Sequence, residues 1–113
     1  MKTIVGIDEL DKFIINNADK IILLYFGAIW CGPCKILKDR LNNSETKTEL
    51  PNLCVGYIDI DNEENNEIIT LYDVTILPTQ TFVKLSKNSV KIIDQVVGYD
   101  WTKLLMIYNK IEK

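Results

Sequence analysis

The chain has 113 residues, 47% of them hydrophobic and 26% charged, with a formal net charge of −3. That is the balance of one folded domain with its own core, too short for two domains and too apolar for a disordered segment. It has no histidine and three cysteines, so no Ser-His-Asp or Cys-His pair and no four-ligand Cys/His zinc site can be completed within the chain. Chemistry has to come from cysteine, carboxylate, lysine or tyrosine. The acidic balance and the scattered Lys and Arg argue against nucleic acid or a membrane surface as partner. The first residues carry charge where a secretory signal needs an apolar stretch, and the longest apolar run, Ile21 to Cys31, is too short to span a bilayer. Low cysteine usage without such a signal points to a reducing compartment, the cytoplasm.

In chain order, Lys2 to Val5 reads as a short strand. A helix is expected from Asp8, where Leu10, Phe13 and Ile14 recur at helical spacing and Asp8, Glu9 and Asp11 suit the positive end of the helix dipole; Asn16-Asn17 ends it. Lys20 to Phe26 is a continuous apolar run, the pattern of a strand buried on both faces. The loop Gly27 to Pro33 then leads into a helix through Cys34, Ile36, Leu37 and Leu41, with Glu45 to Leu50 as its continuation and Pro51 as its stop. Leu53 to Asp59 is a second buried strand, and Glu63 to Leu71 a short helix burying Ile68, Leu71 and Tyr72. Thr79 to Leu85 and Val90 to Val97 form antiparallel edge strands joined by Ser86-Lys87-Asn88-Ser89. Asp100 caps a last helix that buries Leu104, Leu105, Tyr108 and Ile111. The order β-α-β-α-β-α-β-β-α predicts an α/β fold. Residues 1–113 form one domain with a central mixed sheet of about five strands flanked by four helices, on both faces.

One motif carries chemistry. In Trp30-Cys31-Gly32-Pro33-Cys34-Lys35, two cysteines three apart sit at a strand-to-helix turn. Unpaired N–H groups and about half a positive charge at the helix start stabilise a thiolate on Cys31, lowering its pKa from ~8.5 toward ~7. A thiolate with a pKa near ambient pH is the best attacking species in disulfide exchange, so Cys31 attacks and Cys34, one turn inside the helix, resolves. The bland alternative is a structural or metal-holding pair, for which the chain offers neither a second cysteine pair nor a histidine.

This hexapeptide resembles the active site of the thioredoxin family without a change. Val74-Thr75-Ile76-Leu77-Pro78-Thr79 is similar to that family's cis-proline segment, and Gly98, after Val96-Val97, to its glycine near the substrate groove. The resemblance covers nearly the whole chain and implies the thioredoxin fold and a protein disulfide reductase. A substrate disulfide would dock in an apolar groove made by Trp30, Gly32, Pro33, Leu77, Pro78 and Gly98, with the Leu77 backbone pairing to the substrate chain as an added strand. Pro78 would be cis. No bound cofactor or metal is implied beyond the redox-active Cys31–Cys34 disulfide, with a reducing potential near ~−270 mV. The partners implied are disulfide-containing proteins and, as electron donor, an NADPH-dependent thioredoxin reductase or glutathione, with the chain acting as a monomer in electron transport and cell redox homeostasis. The rival from another class is a docking scaffold with a weakly active dithiol.

The chain departs from the family pattern at several positions. Tyr25 stands where the family has a buried aspartate that helps take the proton of the resolving thiol. Tyr57 stands where a lysine is frequent, Asp39 where the active-site helix has a proline, and Gly27 where a first tryptophan is common. Tyr25 and Tyr57 read as space-filling core, with a proton relay as the other reading. Cys54 reads as a buried strand residue rather than a regulatory thiol. Gly98 reads equally as a strand terminator, and the acidic residues from Asp59 to Glu67 as a solvated strand end and helix start.

Overall fold

A computed structural model describes residues 1–113. The sheet has five strands: β1 (Lys2–Ile4), β2 (Ile21–Gly27), β3 (Leu53–Asp59), β4 (Thr79–Ser86) and β5 (Ser89–Val97), in spatial order β1-β3-β2-β4-β5. β1, β3 and β2 run parallel, and β4 and β5 antiparallel to their neighbours. β4 is therefore internal, and only β5 of the hairpin is an edge. The hairpin turns through Lys87 and Asn88, both with positive φ, so each strand runs one residue further than the sequence suggests. Two consecutive left-handed residues match the natural twist of a hairpin.

The expected helices are α1 (Gly6–Asn16), α2 (Gly32–Leu41), α4 (Asn66–Leu71, preceded by a 3₁₀ turn at Glu63–Asn65) and α5 (Trp101–Glu112). Between α2 and β3 lies a short α3 (Ser44–Glu49). Residues 45–50 do not continue α2, because the Asn43 side chain accepts a hydrogen bond from Glu45 N–H at 2.8 Å and starts a new helix.

β2 explains the layering. Its seven residues are all buried, and successive side chains point to opposite faces. Ile21, Leu23 and Tyr25 join a core with Cys31, Cys34, Leu37 and Leu41 of the loop and α2, and Leu104, Ile107 and Tyr108 of α5. Ile22, Leu24 and Phe26 join the opposite core with Leu10, Phe13 and Ile14 of α1 and Ile68 of α4. Leu71, expected inside, is 62% exposed; α4 is only six residues long and buries Ile68 alone. In α5 the buried face turns about Ile107, while Leu105 and Ile111 are only partly covered.

Candidate active site

β2 ends at Gly27, and a tight turn (Cys31 N–H to Ala28 O, 3.2 Å) delivers Cys31 to the start of α2. Cys31 is the N-cap of that helix, and its Sγ accepts a hydrogen bond from Cys34 N–H at 3.2 Å. Pro33 lies in the first turn, where a missing N–H costs nothing. No acidic side chain occupies that turn, so the positive end of the helix faces the sulfur without a competing carboxylate. Cys31 and Cys34 are joined as a disulfide with Cα atoms 5.2 Å apart. Cys31 is 6% exposed and Cys34 1%, so Cys31 is the more open residue of the pair.

Leu77 packs against the core that contains Cys31 and Cys34. Thr79 pairs with Phe26 across β2 and β4, which sets Pro78 beside the loop that carries Cys31. The Leu77-Pro78 bond is cis, as expected. Gly98 N–H donates to Pro78 O at 2.7 Å, closing the far side. Gly98 has φ +82 with open space where a side chain would point; its requirement is conformational rather than steric. Trp30 is 69% exposed, and its indole N–H donates to Asp61 Oδ2 at 2.8 Å. Asp61 read as part of a solvated acidic run; only the tertiary fold brings it to Trp30, with Ile60 N–H bonded to Gly27 O at 3.1 Å. Ile29 and Ile76 add exposed apolar surface to the same two loops.

Beneath the dithiol, the Tyr25 hydroxyl donates to the Cys34 carbonyl at 2.5 Å. Its ring packs 5.1 Å from that of Tyr57, over which the Lys38 ammonium sits at 4.9 Å. Burial, then the nearby Tyr57 and Asp39, push the Tyr25 hydroxyl well above the ordinary tyrosine range. Tyr25 thus stays protonated and donates; it is more than filler, and no base. A Cβ at position 27 would meet the Tyr25 hydroxyl at 3.0 Å, so Gly27 leaves room for this tyrosine. Gln80, which drew no notice in the sequence, is fully buried on β4 opposite Tyr25, and its side-chain N–H donates to Gly98 O at 3.1 Å.

Cys54 is half-buried instead of buried. It lines a surface concavity of about 770 Å³, with Phe13 and Asn16 of α1 and Asn17 just after it, away from the dithiol. Burial raises its thiol pKa, with Lys20 partly opposing, which leaves little thiolate at neutral pH.

A strand-to-helix turn carrying an exchangeable disulfide at a helix N-terminus, backed by a cis-proline loop, defines a thiol–disulfide oxidoreductase. Comparison with known proteins agrees. The family model described as Thioredoxin matches residues 4–106. Thioredoxin-T of Drosophila melanogaster is 32% identical over 103 residues, covering 91% of this chain and 61% of the fly protein. The thioredoxin of Chlamydia pneumoniae is 33% identical over 93 residues, covering 82% and 84% of the two chains. The solved structure of Trichomonas vaginalis thioredoxin superposes with a TM-score of 0.83 at 28% identity, covering 98% of this chain and 96% of that one. The chain belongs to the thioredoxin family, and its Cys31–Cys34 pair performs thiol–disulfide exchange.

Proposed function

We propose that the chain, acting over residues 1–113 as one domain and as a monomer, carries electrons to disulfide-containing proteins in the cytoplasm without a bound cofactor. Its work is reductive. Cys31 thiolate attacks one sulfur of the substrate disulfide, giving a mixed disulfide and releasing one substrate thiolate. Cys34, giving up its thiol proton to the released substrate thiolate or to solvent, then attacks Cys31 Sγ, re-forming the internal disulfide and releasing the second substrate thiolate. Two electrons pass to the substrate; a thioredoxin reductase drawing on NADPH, or glutathione, returns them to the chain.

The observation that carries this reading is Cys31 as N-cap, its sulfur receiving the Cys34 N–H. A sulfur that accepts a backbone N–H at a helix start is favoured as thiolate. The groove supports it further. No hydrogen bond within the chain engages the Leu77 N–H or carbonyl, which leaves that backbone open to an extended substrate segment. Trp30, Gly32, Pro33, Pro78 and Gly98 supply the apolar walls around it.

Insulin-disulfide reduction, followed by turbidity with dithiothreitol as reductant, tests the reading. Wild type is expected to accelerate the reaction, and Cys31→Ser to fall to the uncatalysed rate. Equal rates would overturn the reductase reading and favour a scaffold, as would a Cys31 pKa at the free-thiol value.

A further inference from the structure

The core under the dithiol holds one polar atom without a partner. Gln80 Oε1 is the only buried side-chain nitrogen or oxygen with no hydrogen bond. Gln80 itself is 0% exposed, and its Nε2 is committed to Gly98 O. Its neighbours locate it: Tyr25 on β2 and Val96 on β5 pair with it directly, and Phe82 follows two residues along the same face. All three belong to the core that contains Cys31 and Cys34. Tyr25 is engaged as donor to the Cys34 carbonyl, and no carboxylate is among the buried residues.

A fully buried acceptor left empty is costly and calls for an explanation. The oxidised state supplies one, because a disulfide has no hydrogen to donate. When a dithiol reductant breaks the Cys31–Cys34 bond, the reductant becomes a disulfide and gives up two electrons and two protons. Cys34 Sγ takes one proton and becomes an S–H donor in a site closed to solvent; the other goes to Cys31 or, where Cys31 remains a thiolate, to solvent. We propose that Gln80 is a positioning residue for the exchange reaction, its Oε1 accepting a hydrogen bond from the Cys34 thiol, directly or across one buried water, in the reduced protein only. This bond stabilises the reduced form, holds the resolving sulfur in place, and leaves the acceptor empty again on oxidation. An amide oxygen holds a proton donor but does not remove its proton, so Gln80 sets the balance between the two states and is not the base. The inference rests on the exchange reading of Cys31 and Cys34, which the insulin assay tests separately.

Gln80→Met keeps the bulk and removes the acceptor. It also removes the bond to Gly98, but that loss is common to both redox states and cancels in their difference. Titration in glutathione buffers is expected to show the disulfide favoured about five- to tenfold more than in wild type, a potential lower by about 20–30 mV for a two-electron couple. Urea unfolding of the two redox states should show the reduced form losing more stability than the oxidised one. An unmoved potential, with equal losses in both states, would make Gln80 merely structural and overturn the proposal. In the wild-type protein, where no variant has to fold, the Gln80 side-chain carbonyl ¹³C resonance should move downfield on reduction. The same reductant should leave it in place in Cys34→Ala. An unmoved wild-type resonance would overturn the proposal on its own.

Discussion

At position 25 a tyrosine replaces the carboxylate that the family pattern leads one to expect, and the consequence is a change of role from proton acceptor to hydrogen-bond donor. The hydroxyl reaches the Cys34 carbonyl and ties the centre of β2 to the first turn of α2. Tyr25→Phe removes that bond and is expected to lower the unfolding free energy by about 1–2 kcal/mol at pH 7. The sign of its pH dependence follows from the raised pKa. The folded state favours the neutral hydroxyl over the phenolate, so the stabilisation is complete below the unfolded value near 10 and is lost as pH rises above it. Urea unfolding from pH 7 to 11 should therefore show a constant advantage of wild type over the phenylalanine variant up to about pH 10, then a shrinking one; an advantage that grew with pH would contradict this assignment. The cysteines, Trp30 and Pro78 were legible from the motif because their chemistry is local. Asp61 and Gln80 were not, because each matters through a partner more than fifteen residues away.

Among the elements, the start of α5 was readable from its local side-chain cap, whereas the equally local Asn43 cap that starts α3 was not read. Asp100 precedes α5, and its Oδ1 accepts from Lys103 N–H at 3.1 Å. Asp100→Ala should cost about 1 kcal/mol in urea unfolding, and an unchanged midpoint would show that the packing of Leu104, Ile107 and Tyr108 alone holds the helix. The start of α1 rests on a distant contact as well as a local one. The helix opens at Gly6, before Asp8, with Gly6 N–H donating to Asn65 Oδ1 at 2.9 Å and Val5 N–H to Glu9 Oε1 at 2.9 Å. The Asn65 contact spans 59 residues, so local pattern holds no trace of it. Arg40, stacked 4.3 Å over Trp101 and donating to Tyr99 at 2.8 Å, ties the end of α2 to the segment after Gly98 in the same non-local way.

For the whole molecule, the close approach of α1 to the sheet depends on one absent side chain. A Cβ on Gly56 would meet Phe13 Cε2 at 2.9 Å and Ile4 Cδ1 closer still. Gly56→Ala is expected to cost about 1–3 kcal/mol by forcing α1 and β1 off β3; a melting temperature equal to wild type would mean that this layer repacks freely. No helix is long and apolar enough to cross a membrane. The sequence by itself determined the α/β order, the two-faced burial of β2 and the dithiol at a helix start. Strand periodicity, turn residues and the reactivity of a capped cysteine are all set within a few neighbours along the chain. Only the tertiary structure decided that β4 lies inside the sheet, that Asp61 holds Trp30, that Tyr25 anchors Cys34, and that Gln80 keeps an empty acceptor in the core beneath the disulfide. Those facts depend on which strands pair and which faces meet, and contacts between residues far apart in sequence leave no periodic mark on it.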